Sequence, residues 1–352
     1  MRGNVLRGQP APCEPQVPVV TRLAPSPTGA LHLGNARTFL VNWAIARQRG
    51  WSIPLRIEDL DTPRVKAGAI GGVIETLRWL GIDWDVWPEA AKPPGREELN
   101  GVMVQSDDLE PYRAAMRSLA AKGLAYPCML SRGEIEAVSS APQEGAHETP
   151  FPAALRPREA GRRIDFDAAW GEGGGEVPNW RFCTPPGEVG FADGFAGEQR
   201  IDPSQTVGDF VLWTRRGQPS YQLAVVVDDH RQGVTQIVRG DDLLDSAARQ
   251  LLLWRALGYL PEPTFMHLPL VLGPDGRRLA KRHGDTRIDH YRAKGVPAAA
   301  VIGLIAFWSG VNGVRQQLDA KAFMASLNLD TIPAGPKTFT DEDDRWLLSQ
   351  AR

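Results

Sequence analysis

Three stretches of this sequence carry side chains that could handle phosphate or carboxylate. In the first, His32-Leu33-Gly34-Asn35 stands where a short apolar, β-branched run over residues 19–23 is halted by Pro25, Pro27 and Gly29 and a helix begins. A strand-to-helix turn of this kind offers backbone N–H groups and the positive end of a helix dipole to an anion, and Gly34 lets a flat ring approach the backbone. In the second, Gly273-Pro274-Asp275-Gly276-Arg277-Arg278-Leu279-Ala280-Lys281-Arg282-His283-Gly284 sets four cationic side chains between glycines, a composition suited to polyphosphate. The third is Arg239-Gly240-Asp241-Asp242, which ends an apolar run at the place where open α/β sheets put their active sites.

The elements that must position these residues are read from periodicity. A helix from about residue 32 carries Phe39, Leu40, Trp43 and Ala46 at helical spacing, and a second strand after it ends in Glu58-Asp59-Leu60-Asp61. Residues 66–80 place Ile70, Val73, Ile74, Leu77 and Leu80 on one stripe, and residues 106–122 do the same with Tyr112, Met116 and Leu119. Three β-branched runs, 207–213, 221–227 and 234–238, suit buried parallel strands, followed by a helix over 246–257 and a strand over 265–272. An apolar helix spans 296–308, and a short terminal helix over 340–348 takes Thr340 as its N-cap. The Pro- and Gly-rich stretch 125–202 reads as a subdomain inserted between two halves of an α/β sheet. Within it, Arg156, Arg158, Arg162 and Arg163 make either a local basic patch or a solvated face. The expected organisation is a flexible arm over 1–17, catalytic halves over 18–124 and 203–285, the insertion between them, and a helical C-terminal region over 286–352.

Composition narrows the class. A chain of 352 residues with 42% hydrophobic and 23% charged residues is ordinary for a soluble enzyme. Its net charge of -2 excludes a generally basic surface, so any RNA contact must be local. No run is long enough for a membrane span, and the N-terminus lacks the apolar core of a signal peptide. Cys13, Cys128 and Cys183 are too few and too scattered for a disulfide framework, so a reducing cytoplasm is expected.

Arg22-Leu23-Ala24-Pro25-Ser26-Pro27-Thr28-Gly29, the His32 turn and Leu55-Arg56-Ile57-Glu58-Asp59-Leu60-Asp61 together resemble the glutamyl branch of the class I aminoacyl-tRNA synthetases. The cationic loop is similar to the Lys-Met-Ser-Lys loop of that class, with Arg278 and Ala280 in place of the usual first Lys and Ser and Lys281 retained. The resemblance implies an α/β fold with a Rossmann-like parallel sheet, and activation of L-glutamate by ATP. In that reaction the carboxylate attacks the α-phosphate and pyrophosphate leaves. By resemblance, His32 and Lys281 are catalytic. Glutamate falls to Arg22, Leu23, Ala24, Pro25, Ser26, Glu58, Tyr221 and Arg239, and ATP to His32, Gly34, Asn35, Asp242, Arg278, Leu279, Ala280, Lys281 and Arg282. The types suit the substrate: Arg22 and Arg239 can each meet a carboxylate bidentately, Glu58 can hold the ammonium and Tyr221 can add a hydroxyl. Which arginine takes which carboxylate stays open. Mg²⁺ is expected with ATP, held mostly by phosphate oxygens and water.

Within the branch, Leu60, the following Asp61-Thr62-Pro63-Arg64 and an end at Arg352, with little left to reach an anticodon in that family's manner, resemble a short subgroup. Its members activate glutamate without tRNA and attach it to the queuosine base of tRNA(Asp). A monomer and no membrane partner are expected. Zinc is not expected: Cys128 keeps one thiol of the family's site, while Leu130, Phe151 and Leu155 stand where further ligands would fall. One soft ligand cannot build a tetrahedral site, so hydrophobic packing is expected in its place. Asn35 replaces the class's second histidine, which with Ala280 is expected to slow activation. Residues 309–352, with Phe323, Leu327, Leu329 and Trp346, look more like the start of a glutamyl-tRNA synthetase's stem-contact region. The alternatives are therefore a truncated glutamyl-tRNA synthetase charging tRNA(Glu), a non-catalytic module that binds ATP or glutamate, and an enzyme that adenylylates a small molecule.

Overall fold

The computed structural model describes residues 18–89, 99–138, 150–171, 177–277, 279 and 285–352. The chain enters through Val20 and Leu23, which bridge in parallel to Ser52 and Leu55. It then turns into α1 (Leu33–Arg49), closed by Arg47 and Arg49 in its last turn and by Gly50, whose φ of 66° a residue with a Cβ rarely adopts. β1 (Arg56–Ile57) follows, then α2 (Ala69–Trp79), which buries Val73, Ile74 and Leu77 of the expected stripe. β2 (Met103–Val104) pairs in parallel with β1. The helix α3 (Glu110–Ala121) buries Tyr112, Met116 and Leu119, as their spacing predicts.

The next segment contains β3 (Ala125–Cys128), α4 (Arg132–Val138), α5 (Phe166–Gly171), β4 (Asn179–Phe182), the hairpin of β5 (Val189–Asp193) and β6 (Gly197–Ile201), and α6 (Pro203–Thr206). β3 and β4 are antiparallel, and β7 (Val211–Trp213) adds antiparallel to β4. The run over 207–213 is thus a shorter strand than expected and not a parallel one. Its first residues instead follow α6, where the Val207 carbonyl accepts the Phe151 N–H at 2.8 Å.

A larger correction concerns residues 221–227, expected as a strand and found in α7 (Tyr221–Arg231). Ser220 caps this helix, its hydroxyl accepting the Leu223 N–H at 3.5 Å. Residues 222 to 229 are all buried, so α7 shows no amphipathic stripe and its valines mimic a buried strand. β8 (Gln236–Gly240), α8 (Leu244–Leu257) and β9 (Thr264–Leu268) restore the parallel arrangement, in a sheet ordered β6-β5-β9-β8. Pro269, which has no N–H to donate, separates β9 from β10 (Val271–Leu272), so the expected single strand is two.

The remainder is α9 (Ile288–Ala293), α10 (Ala298–Trp308), α11 (Ala320–Ser326), β11 (Lys337–Thr338), which pairs in parallel with β10, and α12 (Asp341–Ser349). Thr340 caps α12 in a reciprocal capping box with Asp343. One core joins α1, α2 and α10 with Phe323 and Leu347 of the C-terminal region, and a second joins α3, α7 and α8 with Trp180 and Trp213. Among the described residues no helix is long and apolar enough to cross a membrane.

Candidate active site

The residues expected to meet a dicarboxylic amino acid converge. Asp229, on α7, is the hub: its Oδ1 accepts from Arg22 Nε at 3.1 Å and from Arg56 Nη1 at 2.7 Å. Arg56 is fully buried on β1 and reaches the other way to Glu58 Oε1, at 3.3 Å from Nε and 3.0 Å from Nη2. The Glu58 N–H donates to the Pro25 carbonyl at 3.0 Å, which ties this acid to the turn before α1. Arg22 is further held by the Val238 carbonyl on β8, at 3.3 Å from Nη1. Tyr221, 40% exposed at the start of α7, lies in the combined field of Arg239, Glu58, Arg22 and Asp229. Of the neighbouring positions, Leu23 contributes backbone, its carbonyl accepting the Arg56 N–H at 2.8 Å, while its side chain is buried. Pro25 is buried, Ala24 half-buried and Ser26 exposed.

The electrostatics favour a ligand with one more negative than positive charge. Four guanidinium groups (Arg22, Arg56, Arg239 and the half-buried Arg231, which bonds Asp228) face three carboxylates (Glu58, Asp228, Asp229), leaving about one positive charge in the cluster, where an uncompensated charge is costly. Burial opposes the charge on Arg56, but Asp229 and Glu58 outweigh it and raise its pKa. Burial likewise opposes ionisation of Asp229, yet Arg22 and Arg56 hold its carboxyl below the usual carboxylate range. At Glu58 burial wins over Arg56 and Arg22, so its pKa is raised. The Arg239 pKa is lowered, first by burial and then by Arg22. Arg239 itself is clamped: Nε donates to His267 Nε2 at 2.9 Å, Nη1 to Gln250 Oε1 at 2.8 Å and Nη2 to the Leu243 carbonyl at 3.2 Å.

At the phosphate turn, His32 is the N-cap of α1, and its Nδ1 accepts the Asn35 N–H at 3.4 Å. A Cβ on Gly34 would stand 3.2 Å from His32 Cε1 and Nδ1 and 3.7 Å from Val271 Cβ. Gly34 therefore faces both the histidine and β10, the strand that leads to the cationic loop. That loop begins in a tight turn, with the Gly273 N–H donating to the Arg277 carbonyl at 2.8 Å. Leu279 is buried in the main core, its N–H 3.3 Å from the Val271 carbonyl. Arg278, Ala280, Lys281 and Arg282 lie outside the described residues. Asp242 follows β8, and a Cβ on Gly240 would lie 2.7 Å from its Oδ1 and 2.9 Å from Leu270 Cδ2. Only glycine leaves the room that Asp242 takes beside the strand end.

Beside Tyr221 opens a cleft of about 480 Å³, lined by Ser220 and Gln222 of α7, by Asn179 and Arg181 of β4, and by Phe151. Its far wall rests on an apolar cluster in which Cys128 and Phe151 are packed with Leu130 and Leu155. The four positions where the family's zinc ligands were expected to be lost thus lie in one apolar cluster. Among the described residues no three His, Cys, Asp or Glu side chains are grouped as metal ligands. Arg156 is tied to Asp209 at 2.7 Å, which leaves Arg158, Arg162 and Arg163 as the exposed members of the basic stretch.

Sequence reasoning overlooked Asp229, Asp193 and His267, and quoted Arg56 without assigning it a part. A signal for Asp229 existed: Asp228-Asp229 interrupts an apolar run, and two acids buried in one helix require partners. Nothing near Asp193 or His267 in the sequence announces either.

Residues 18–345 match the family model for the catalytic domain of class I tRNA synthetases of the E and Q type. A glutamyl-Q tRNA(Asp) synthetase of Symbiobacterium thermophilum is 44% identical over 319 residues, covering 90% of this chain and 94% of the relative. A glutamate–tRNA ligase of Dinoroseobacter shibae is 37% identical over 320 residues, 91% of this chain and 62% of the relative. The crystal structure of a glutamate–tRNA synthetase from Elizabethkingia anophelis superposes with a TM-score of 0.72 at 26% identity, covering 94% of this chain and 70% of that one.

Proposed function

The chain belongs to the class I tRNA synthetases of the glutamate and glutamine type, a family of ligases, and on that premise we propose that it activates L-glutamate with ATP and passes the glutamyl group to the queuosine base of tRNA(Asp). The observation that carries the amino-acid assignment is the buried set of Arg22, Arg56, Glu58, Asp229 and Arg239, whose surplus positive charge complements the net charge of glutamate. The higher identity with the glutamyl-Q relative than with the glutamate–tRNA ligase supports the acceptor.

In this reading Arg22 and Arg239 hold the two carboxylates, Glu58 the ammonium, and Tyr221 supplies a hydroxyl at the open side. Arg56 and Asp229 do not need to touch the substrate; they fix Glu58 and Arg22. Activation needs no covalent nucleophile, only alignment of two anions and stabilisation of the charge that develops on the phosphates. His32 at the head of α1 and Lys281 on the loop after β10 serve that stabilisation, with Gly34, Asn35, Asp242 and residues 278–282 forming the ATP side. Mg²⁺ would neutralise the polyphosphate, held mainly by its oxygens. The acceptor base enters from the cleft beside Tyr221. Residues 18–124 and 203–285 act as the catalytic halves, 125–202 as the insertion and 286–352 as the helical extension. The protein acts as a monomer, without zinc.

The test is glutamate-dependent ATP–pyrophosphate exchange without tRNA, followed by transfer of labelled glutamate to tRNA(Asp) with and without queuosine. Exchange without tRNA and labelling only of the queuosine form are expected. Exchange that appears only with tRNA(Glu) would replace this reading by the truncated ligase.

A further inference from the structure

We infer that His267 and Asp193 are positioning residues for Arg239, forming a hydrogen-bonded row that orients its guanidinium only while His267 is neutral with its proton on Nδ1. The inference rests on the reading of Arg239 as a glutamate-binding residue. Three adjacent strands deliver the row. Arg239 on β8 is in register with His267 on β9, and β5 pairs with β9 through Asp193 and Phe265. Both His267 and Asp193 are buried, with no measurable side-chain exposure.

The proton's position follows from donor and acceptor types. Asp193 Oδ1 accepts the N–H groups of Phe195 at 2.9 Å and Ala196 at 2.8 Å, and Oδ2 lies 2.6 Å from His267 Nδ1. Burial opposes its charge, but His267 and these backbone donors hold the carboxyl far below the usual range. An ionised carboxylate only accepts, so Nδ1 carries the hydrogen. On the other side the guanidinium only donates, so Nε2 must keep its lone pair for Arg239 Nε. The other neighbours of the imidazole are the Phe265 ring, stacked with centroids 5.8 Å apart, and the Leu243 carbonyl, an acceptor that Arg239 Nη2 also uses at 3.2 Å. With Nη1 and Nη2 also engaged by Gln250 and Leu243, the plane of Arg239 is set from behind, and its remaining edge meets the Tyr221 hydroxyl. A hydrogen on Nε2 would oppose the hydrogen on Nε and turn that plane.

Asp193→Asn exposes the dependence on the tautomer. Its remaining oxygen stays on the Phe195 and Ala196 amides, so the new NH₂ faces Nδ1 and sends the imidazole proton to Nε2, against Arg239. We expect this variant, and His267→Leu, to raise the glutamate KM in pyrophosphate exchange about tenfold or more, the scale of one buried hydrogen bond left unmade. kcat should change by less than about threefold and the ATP KM by less than about twofold, because the loss is in substrate binding. His267→Gln keeps an acceptor for Arg239 and should stay within about threefold of the parent KM, since one neutral hydrogen bond replaces another. If Asp193→Asn and His267→Leu leave the glutamate KM unchanged while Arg239→Ala raises it, the positioning role is wrong. It is also wrong if the glutamine variant is as impaired as the leucine one. An unchanged KM in Arg239→Ala removes the glutamate-site reading itself, and this inference with it. Melting curves of the full chain separate folding from binding; should the leucine variant not fold, the asparagine variant, which keeps the hairpin's hydrogen bonds, decides.

Discussion

Gly34 shows how a missing side chain can hold a reacting one in place. A Cβ there would press on His32 at 3.2 Å, tighter than ordinary contact, and also meet β10. Helix propensity alone would favour alanine at this half-buried first-turn position, so Gly34→Ala should leave the melting temperature within a few degrees. The displaced imidazole should nevertheless lower kcat for pyrophosphate exchange by about tenfold or more, because sub-ångström misplacement of a catalytic group is expensive. An unaltered kcat would remove His32 from the chemistry. Arg56 poses the opposite case. It touches Asp229, Gln232 and Glu58 with no exposed atom, so replacing it deprives Glu58 of its ion pair and leaves Asp229 with Arg22 alone. Arg56→Leu should cost on the order of 3–5 kcal/mol in denaturant unfolding, more than loss of any one surface ion pair, which is worth about 1 kcal/mol or less.

Elements differ in how plainly the sequence announces them, and the reason is burial. α2 has one apolar face and a solvated one, so Val73, Ile74, Leu77 and Leu80 could be read directly from their spacing. α7 is enclosed from Gln222 to Asp229, and a helix without a wet side carries no period; its Val225-Val226-Val227 core then reads as a strand. The cap at Ser220 was the remaining clue. The candidate site was legible wherever it lies in local motifs, as with Arg22, Glu58 and His32. It was illegible where residues far apart in sequence meet: Arg22 and Asp229 are separated by 207 positions, and Asp193 and His267 by 74. The amphipathic case also permits a stability prediction. Gly72 lies in the interior of α2, exposed, and a Cβ there would meet nothing within 4 Å. Gly72→Ala should therefore raise stability by about 0.5–1 kcal/mol, seen as a higher denaturation midpoint with the same slope. A lower midpoint would mean that the helix is strained at that turn.

Across the whole molecule, the β5–β6 hairpin is joined to the sheet of β8 and β9 by one parallel pairing and by Asp193 against His267, so these two groups couple cohesion to pH. The folded pKa of His267 is lowered, first by burial, below its ordinary 6.5, so its contribution is present above 6.5 and is lost as pH falls towards the folded value. Asp193 is depressed as well, below 3.8, and its contribution is lost only at pH values lower still. Glu58 runs the other way: its raised pKa means that the folded state gains relative stability as pH falls through that value towards 4.5. Acidification from pH 7.5 to 5.5 should therefore lower the melting temperature through His267. His267→Gln removes this effect, so its melting temperature should fall less over the same interval. Parallel curves for the parent and the variant would show that protonating this imidazole is not what weakens the joint between hairpin and sheet.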